Sequence, residues 1–249
     1  MNNQNRNSWI YLVGIIIMFG LLIVIATQVI LPIFQRNRQI NINLNLPKPE
    51  LTIDTSRNYL AKVTTNLGIF EIELCSACAP QNVNNFVYLA QKDYYVNTKF
   101  HRVIKDLLFQ GGDRNTLSAD YSTYGKGKTN YLIEDEVNWD ALALSQEKRE
   151  LLTQQGFSSN ATLPSKRLTR YTVAMANDGP NTNSSQFFVI TADNSDSRLE
   201  EFNGRFTVIG EIRSGFDTLS KINGIEISDV NSFRPNADIV LEKIEITIL

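Results

Sequence analysis

Trp9 to Phe34 carries no charged residue and is long enough to cross a hydrocarbon core as a helix. This run confines any globular fold to the residues that follow it. Trp9 and Tyr11 sit at one end, where amphipathic aromatics favour the membrane interface. No A-x-A cleavage site follows, and the run exceeds a typical signal h-region, so the expectation is an uncleaved anchor. Arg6 and the terminal amine face Arg36 and Arg38 across the span, a balance too close for the positive-inside rule to decide. A short tail, a span and then a large domain favour an extracytoplasmic domain. The expected organisation is a polar tail at 1–8, the span at 9–34, a linker at 35–58 and a domain at 59–249. Pro47 and Pro49 argue against a regular element in the linker, although Ile42 to Leu46 alternates like a short strand.

The domain reads as many short strands. Tyr59–Thr65 and Ile69–Leu74 alternate around Asn66-Leu67-Gly68, a hairpin signal. Pro80 opens an amphipathic helix with Val83, Phe86, Val87 and Ala90 at helical spacing. Further strands are expected at Phe100 onward, Tyr171–Met175, Gln186–Thr191, Phe206–Ile212 and Ile239–Ile248. A second helix is expected at Phe216–Ile222. The pattern suggests a closed antiparallel barrel with capped ends. An apparent insertion at about 139–165 contains LSQEKRELLTQQG, a short helix with Ser145 as N-cap, Gly156 past its end, and Leu144, Leu151 and Leu152 as its apolar stripe. It is either a packed excursion or a substrate-selecting flap.

Charge is nearly balanced, 24 basic against 26 acidic residues, so no nucleic-acid footprint is present. His101 is the single histidine, and no metal site is expected. Its neighbours supply no nucleophile elbow, so hydrolase chemistry is not expected either. Cys75-Ser-Ala-Cys78 reads as a local disulfide, as two unrelated small residues, or as a redox pair. Asn160-Ala-Thr162 and Asn183-Ser-Ser185 match a glycosylation pattern that is frequent by chance.

Chemistry enters at Phe100–Asp113, FHRVIKDLLFQGGD, where Arg102 sits among Phe100, Val103, Leu107, Leu108 and Phe109. Placing an unpaired guanidinium in apolar surroundings is costly. With Met175–Thr191, MANDGPNTNSSQFFVIT, and Asn203–Gly210, NGRFTVIG, it resembles the signature of cyclophilin-type peptidyl-prolyl isomerases: FHR…QGGD, then MAN-x-GPNTN-x-SQFF, then a DGKHTVFG-like segment. The resemblance runs from about Tyr59 to the C-terminus, and within it Tyr131–Val137, YLIEDEV, is similar to the family's strand and acidic turn. It implies an eight-stranded barrel with a helix at each end, no cofactor, and proline-containing polypeptides as substrates. With the apolar span it describes a membrane-anchored, prokaryotic, monomeric member, bound to the bilayer through 9–34.

Rotation about an X-Pro bond needs no nucleophile, only tighter binding of the twisted amide than of the planar one. A donor aimed at the prolyl nitrogen achieves this, and Arg102 suits the task because its fork is rigid and stays charged. Gln110 is expected to orient Arg102. Phe188, Leu108, Leu107 and Phe202 are expected to hold the proline ring. By resemblance, Arg102, Gln110, Ala176, Asn177, Gln186 and Phe188 fall on family positions, with Asn177 in the loop that pairs its backbone with substrate. Leu107, Leu108, Phe202 and Phe206 depart from the usual residues, Phe206 standing for a frequent histidine. The family's tryptophan has no counterpart in Asp193–Glu201. The expected function is prolyl isomerisation assisting exported or membrane proteins. The alternative is a tethered module that binds proline peptides without turnover.

Overall fold

The computed structural model describes residues 44–249. Its frame is a curled antiparallel sheet of nine strands: β1 (Tyr59–Thr65), β2 (Gly68–Leu74), β3 (Thr98–Lys99), β4 (Arg102–Ile104), β5 (Leu108–Gly111), β6 (Thr172–Met175), β7 (Phe187–Ile190), β8 (Val208–Ser214) and β11 (Val240–Ile248). The spatial order is β3-β11-β1-β2-β8-β6-β7-β5-β4. A separate two-stranded ribbon pairs β9 (Ile227–Asp229) with β10 (Arg234–Pro235). The expectation of a closed eight-stranded barrel is thus corrected: no ladder joins the sheet's two edges. Those edges, β3 and β4, are successive parts of one segment. Between them Phe100 N–H donates to Ile239 O at 2.9 Å and His101 N–H to Gln110 O at 3.0 Å. The segment leaves one edge neighbour for the other, so the sheet curls without closing.

Among the described residues there are four α-helices, α1 (Pro80–Gln91), α2 (Gln146–Gln154), α3 (Arg198–Phe202) and α4 (Phe216–Asn223), of which only α3 is not expected from the sequence. None is long and apolar enough to cross a membrane. The apolar run at 9–34 lies outside the described residues. Helix α1 starts with Pro80 in its first turn, where a missing N–H costs nothing. Ala79 gives it no side-chain cap; instead the distant Glu136 carboxylate accepts from Gln81 N–H at 3.0 Å and Asn82 N–H at 2.9 Å. A carboxylate there meets orphan donors and the positive end of the helix dipole. That use explains why, of the strand and acidic turn the resemblance implies at Tyr131–Val137, the strand part is not extended. Its acids serve other elements, and only an isolated bridge, Ile133 to Asn183, remains of it.

The main core fills the concave face of the sheet with interlocking aromatics. Phe100 meets Phe109 edge-on at 5.1 Å and Phe187 at 5.9 Å, and Phe86 meets Phe187 at 5.3 Å. Such edge-to-face pairs add to the area they bury. They also account for Gly111-Gly112: a Cβ on Gly111 would lie 2.6 Å from the Phe100 ring, while Gly112 adopts φ +86° against Ser185 O.

Residues 44–54 form no regular element but lie on the domain. Leu44, Leu46 and Ile53 pack against the core. The Asn84 side chain accepts from Thr52 N–H at 3.0 Å and donates to Glu50 O at 2.8 Å, substituting for strand partners.

The insertion builds its own small core from Val137, Trp139, Leu142, Leu144, Leu152 and Phe157. Ser145 caps α2 by accepting from Lys148 N–H at 3.2 Å, and Gly156 takes φ +86° after its end. Leu151 does not belong to the apolar stripe; it is 44% exposed, because the helix turns only Leu152 inward. Cys75 and Cys78 form a disulfide at the turn between β2 and α1.

Candidate active site

Register across the sheet assembles the site. Arg102 on β4 stands opposite Gln110 on β5, Gln110 opposite Phe188 on β7, and Phe188 opposite Ala174 on β6. Directly opposed residues on one face are close enough for their side chains to act together. A groove of about 720 Å³ opens over this row, a size that suits a peptide segment. Arg102, Leu108, Gln110, Ala176, Asn177, Phe188, Phe202 and Phe206, all expected site residues, line it.

Its apolar end is a trio of phenylalanines. Phe188 meets Phe206 at 5.2 Å and Phe202 meets Phe206 at 5.6 Å, both nearly perpendicular; Phe188 and Phe202 are 6.4 Å apart. Leu108 belongs to the same apolar cluster. A ring-shaped aliphatic guest fits such a hollow through area burial alone. Leu107 is also in this cluster but does not line the groove. Its carbonyl accepts from Thr191 and Ala192 N–H, so it secures the β4–β5 turn from behind.

The polar end is a relay of amides. Arg102 donates from a guanidinium nitrogen to Gln110 Oε1 at 3.5 Å, the outer limit of a hydrogen bond. Gln110 Nε2 donates to Gln186 Oε1 at 2.9 Å. Gln186 Nε2 in turn donates to the carbonyls of Gly125 and Gly127, at 3.0 and 2.7 Å. Gln186 therefore sets Gln110 rather than lining the main groove. Partial burial lowers the Arg102 pKa, yet an arginine so placed remains charged.

Asn177 has a specific posture. Its side chain turns into its own loop, donating to Arg205 O at 2.9 Å, with Asp135 Oδ1 at 3.4 Å. Asp135 also accepts from Asn181 N–H at 2.7 Å and Asn183 Nδ2 at 2.9 Å, which stiffens the loop; burial nonetheless raises its pKa. Among the described residues nothing bonds the main-chain N–H or C=O of Asn177, so an extended peptide finds both free at the groove rim.

The insertion supports the phenylalanine trio from outside. Trp139 Nε1 donates to Gly204 O at 3.2 Å and Lys148 Nζ to Glu201 O at 3.1 Å, and just past the insertion Arg167 pairs with Glu200. These contacts grip 198–206, the stretch carrying Phe202 and Phe206. The packed-excursion reading describes it, with the added consequence that it sets a pocket wall.

Sequence reasoning missed the opposite wall. His101, Tyr121, Ser122 and Tyr124 line it on one side, and Asp229, Asn231, Ser232 and Arg234 of the β9–β10 ribbon on the other. The Arg234 guanidinium lies 4.1 Å from the Tyr121 ring centre and bridges them. The signal available was weak: a turn-forming Asn231-Ser232 ahead of Pro235 marks a hairpin but not where it docks.

Comparison with known proteins matches residues 60–246 to the model described as cyclophilin type peptidyl-prolyl cis-trans isomerase/CLD. The chain is 33% identical over 180 residues to peptidyl-prolyl cis-trans isomerase-like 1 of Bos taurus, covering 72% of this chain and 87% of the relative. It is 29% identical over 188 residues to peptidyl-prolyl cis-trans isomerase CYP18-2 of Arabidopsis thaliana, covering 75% of this chain and 87% of that one. Among solved structures, a cyclophilin type peptidyl-prolyl cis-trans isomerase of Cryptosporidium parvum aligns with a TM-score of 0.56 at 29% identity, over 76% of this chain and 98% of the other. The same Cryptosporidium protein in the presence of the dipeptide Ala-Pro aligns with a TM-score of 0.55. These relatives are eukaryotic and lend the expected prokaryotic source no support.

Proposed function

The chain belongs to the cyclophilin-type peptidyl-prolyl cis-trans isomerase family and is a prolyl isomerase, and from that premise we propose which residues carry the reaction and where the enzyme works. The observation that carries the assignment is the row Arg102–Gln110–Phe188 across three paired strands.

A proline ring enters the hollow of Phe188, Leu108, Phe202 and Phe206. The flanking main chain pairs with Asn177, so the residues around the proline are held while the bond turns. As the amide twists, conjugation is lost and the prolyl nitrogen gains a localised lone pair. Arg102 supplies a donor to that nitrogen. The bond it makes is stronger in the twisted state than in the planar one, and only such differential binding lowers the barrier of about 18–20 kcal/mol. Gln110, set by Gln186, limits the arc through which the guanidinium swings. No proton changes hands and no covalent intermediate forms.

The apolar run at 9–34 is read as a membrane anchor with the domain on the extracytoplasmic side, acting as a monomer on exported or membrane proteins. The length and lack of charge of that run support this reading, as does the Cys75–Cys78 bridge, since disulfides persist in oxidising compartments. Residues 44–54 lie on the domain, which leaves residues 35–43 to connect it to the anchor. Protease added to intact cells should remove the domain while leaving the span; a protected domain would reverse the orientation.

The test of the chemistry is cis/trans exchange by NMR on an Ala-Pro peptide, using the full chain in mild detergent. Arg102→Ala should lower the rate about 10²-fold or more while the fold persists, the usual scale for removing one preorganised donor. A folded Arg102→Ala chain with unchanged exchange would refute the role given to Arg102.

A further inference from the structure

Arg102 is held in an unusual way. Its pKa is lowered by burial alone, with no carboxylate contributing, and its contact to Gln110 is long. A half-buried charge needs some compensating partner. Besides Gln110, a ring face lies close: the Arg102 guanidinium carbon is 5.6 Å from the centre of the Phe233 ring. Phe233 sits between β9 and β10, and its own carbonyl accepts from Val103 N–H at 2.9 Å, the residue next to Arg102. That bond ties the ribbon to β4 at the position where the guanidinium lies.

The backbone of Phe233 is strained. It adopts φ +56°, a region that costs a bulky residue free energy and persists only where surroundings impose it. The surroundings do so here. Asp229 accepts from Asn231 N–H at 3.0 Å and from Ser232 Oγ at 2.7 Å, tightening the turn. Arg234 donates from Nε to Ser228 Oγ at 3.1 Å and stacks on Tyr121, closing the ribbon's other side. The strain places an aromatic face beside Arg102 instead of in solvent.

We propose that Phe233 is the positioning residue for Arg102, its ring face holding the guanidinium plane toward the groove. A carboxylate would hold the charge too, but it would occupy the N–H groups that the prolyl nitrogen requires. A ring face compensates the charge through its quadrupole without itself accepting any N–H. The proposal rests on Arg102 being the catalytic donor.

The test measures kcat and KM for Ala-Pro exchange in the full chain for wild type, Phe233→Leu, Phe233→Tyr and Arg102→Ala, with relaxation of the Arg102 Nε–H as a second readout. Phe233→Leu keeps apolar bulk but loses the π face. It should lower kcat about five-fold, the order expected for one partly exposed cation–π contact, while KM stays within about two-fold. The Arg102 Nε–H should become more mobile in this variant. Phe233→Tyr keeps the face and should retain wild-type kcat. Wild-type kcat in Phe233→Leu, or an equal fall in Phe233→Tyr, would overturn the proposal. If Arg102→Ala keeps full exchange, the catalytic assignment fails and the positioning role with it; if Arg102→Ala loses exchange while Phe233→Leu does not, only the positioning role fails. Should Phe233→Leu not fold, the wild type decides: Arg102 side-chain protons shifted upfield by the ring support the stack, and unshifted ones overturn it.

Discussion

Gln110 donates its side-chain amide to Gln186 Oε1 at 2.9 Å, which leaves its own oxygen facing Arg102. The orientation is not a choice Gln110 makes alone. Gln186 commits its amide to the carbonyls of Gly125 and Gly127, so its oxygen is the only group it can offer. Gln110 must then present its nitrogen to Gln186 and its oxygen to the guanidinium.

Gln186→Leu removes that constraint at nearly constant volume. It leaves two carbonyls and the Gln110 amide short of partners, at a cost of about 1–3 kcal/mol. The exchange rate should fall about ten-fold or more, because small misplacements of a catalytic group are costly. Urea unfolding and exchange NMR read the two effects. A rate that stays at wild type would show that Gln110 needs no second glutamine.

The insertion offers a matched pair. Leu152 is fully buried and abuts Gly204, whereas its neighbour Leu151 is exposed. Leu152→Ala should cost about 2–5 kcal/mol through lost burial and the cavity left behind. Leu151→Ala should stay within about 0.5 kcal/mol. Leu152→Ala should also weaken proline-peptide binding, since the stretch bearing Phe202 and Phe206 loses its support. Equal effects in the two variants, measured by thermal melts, would contradict the packing described.

His101 sets a pH dependence. Burial lowers its pKa, the Asp113 carboxylate opposes that shift and the Arg102 charge adds to it. The folded chain therefore holds His101 neutral where the unfolded chain, with an ordinary pKa of about 6.5, takes up a proton. The full stability due to this group is present above that value and is lost as pH falls below it, down to the lower folded pKa. The slope is at most about 1.4 kcal/mol per pH unit. His101→Asn should flatten the wild-type stability curve just below about pH 6.5. Parallel curves for the two chains would rule out this account.

Several features were legible from local chemistry. The β1–β2 hairpin follows from alternation around Asn66-Leu67-Gly68, and α1 follows from Pro80 and a 3.6-residue apolar period. The Ser145 cap and Gly156 mark α2 within a residue. Each depends on forces that act within a few positions of chain. Tyr131–Val137 keeps only one bridge of its implied strand, Ile133 to Asn183. The resemblance implies a strand and an acidic turn there, but Asp135 and Glu136 bond a distant loop and a distant helix end, which no local pattern reveals.

Taken alone, then, the sequence, through the family resemblance, named Arg102, Gln110 and Phe188 as candidates for one site with apolar partners beside them, and it indicated that the strands are antiparallel. Only the tertiary structure decided that β4, β5 and β7 align those three in one row, that Leu107 lies behind the groove, and that Phe233 reaches Arg102 from 131 residues away in the chain, as their numbers give. Strand alternation fixes which face a side chain takes, but register and ribbon docking arise from packing between distant segments. Those contacts carry no periodicity that the chain displays along its length.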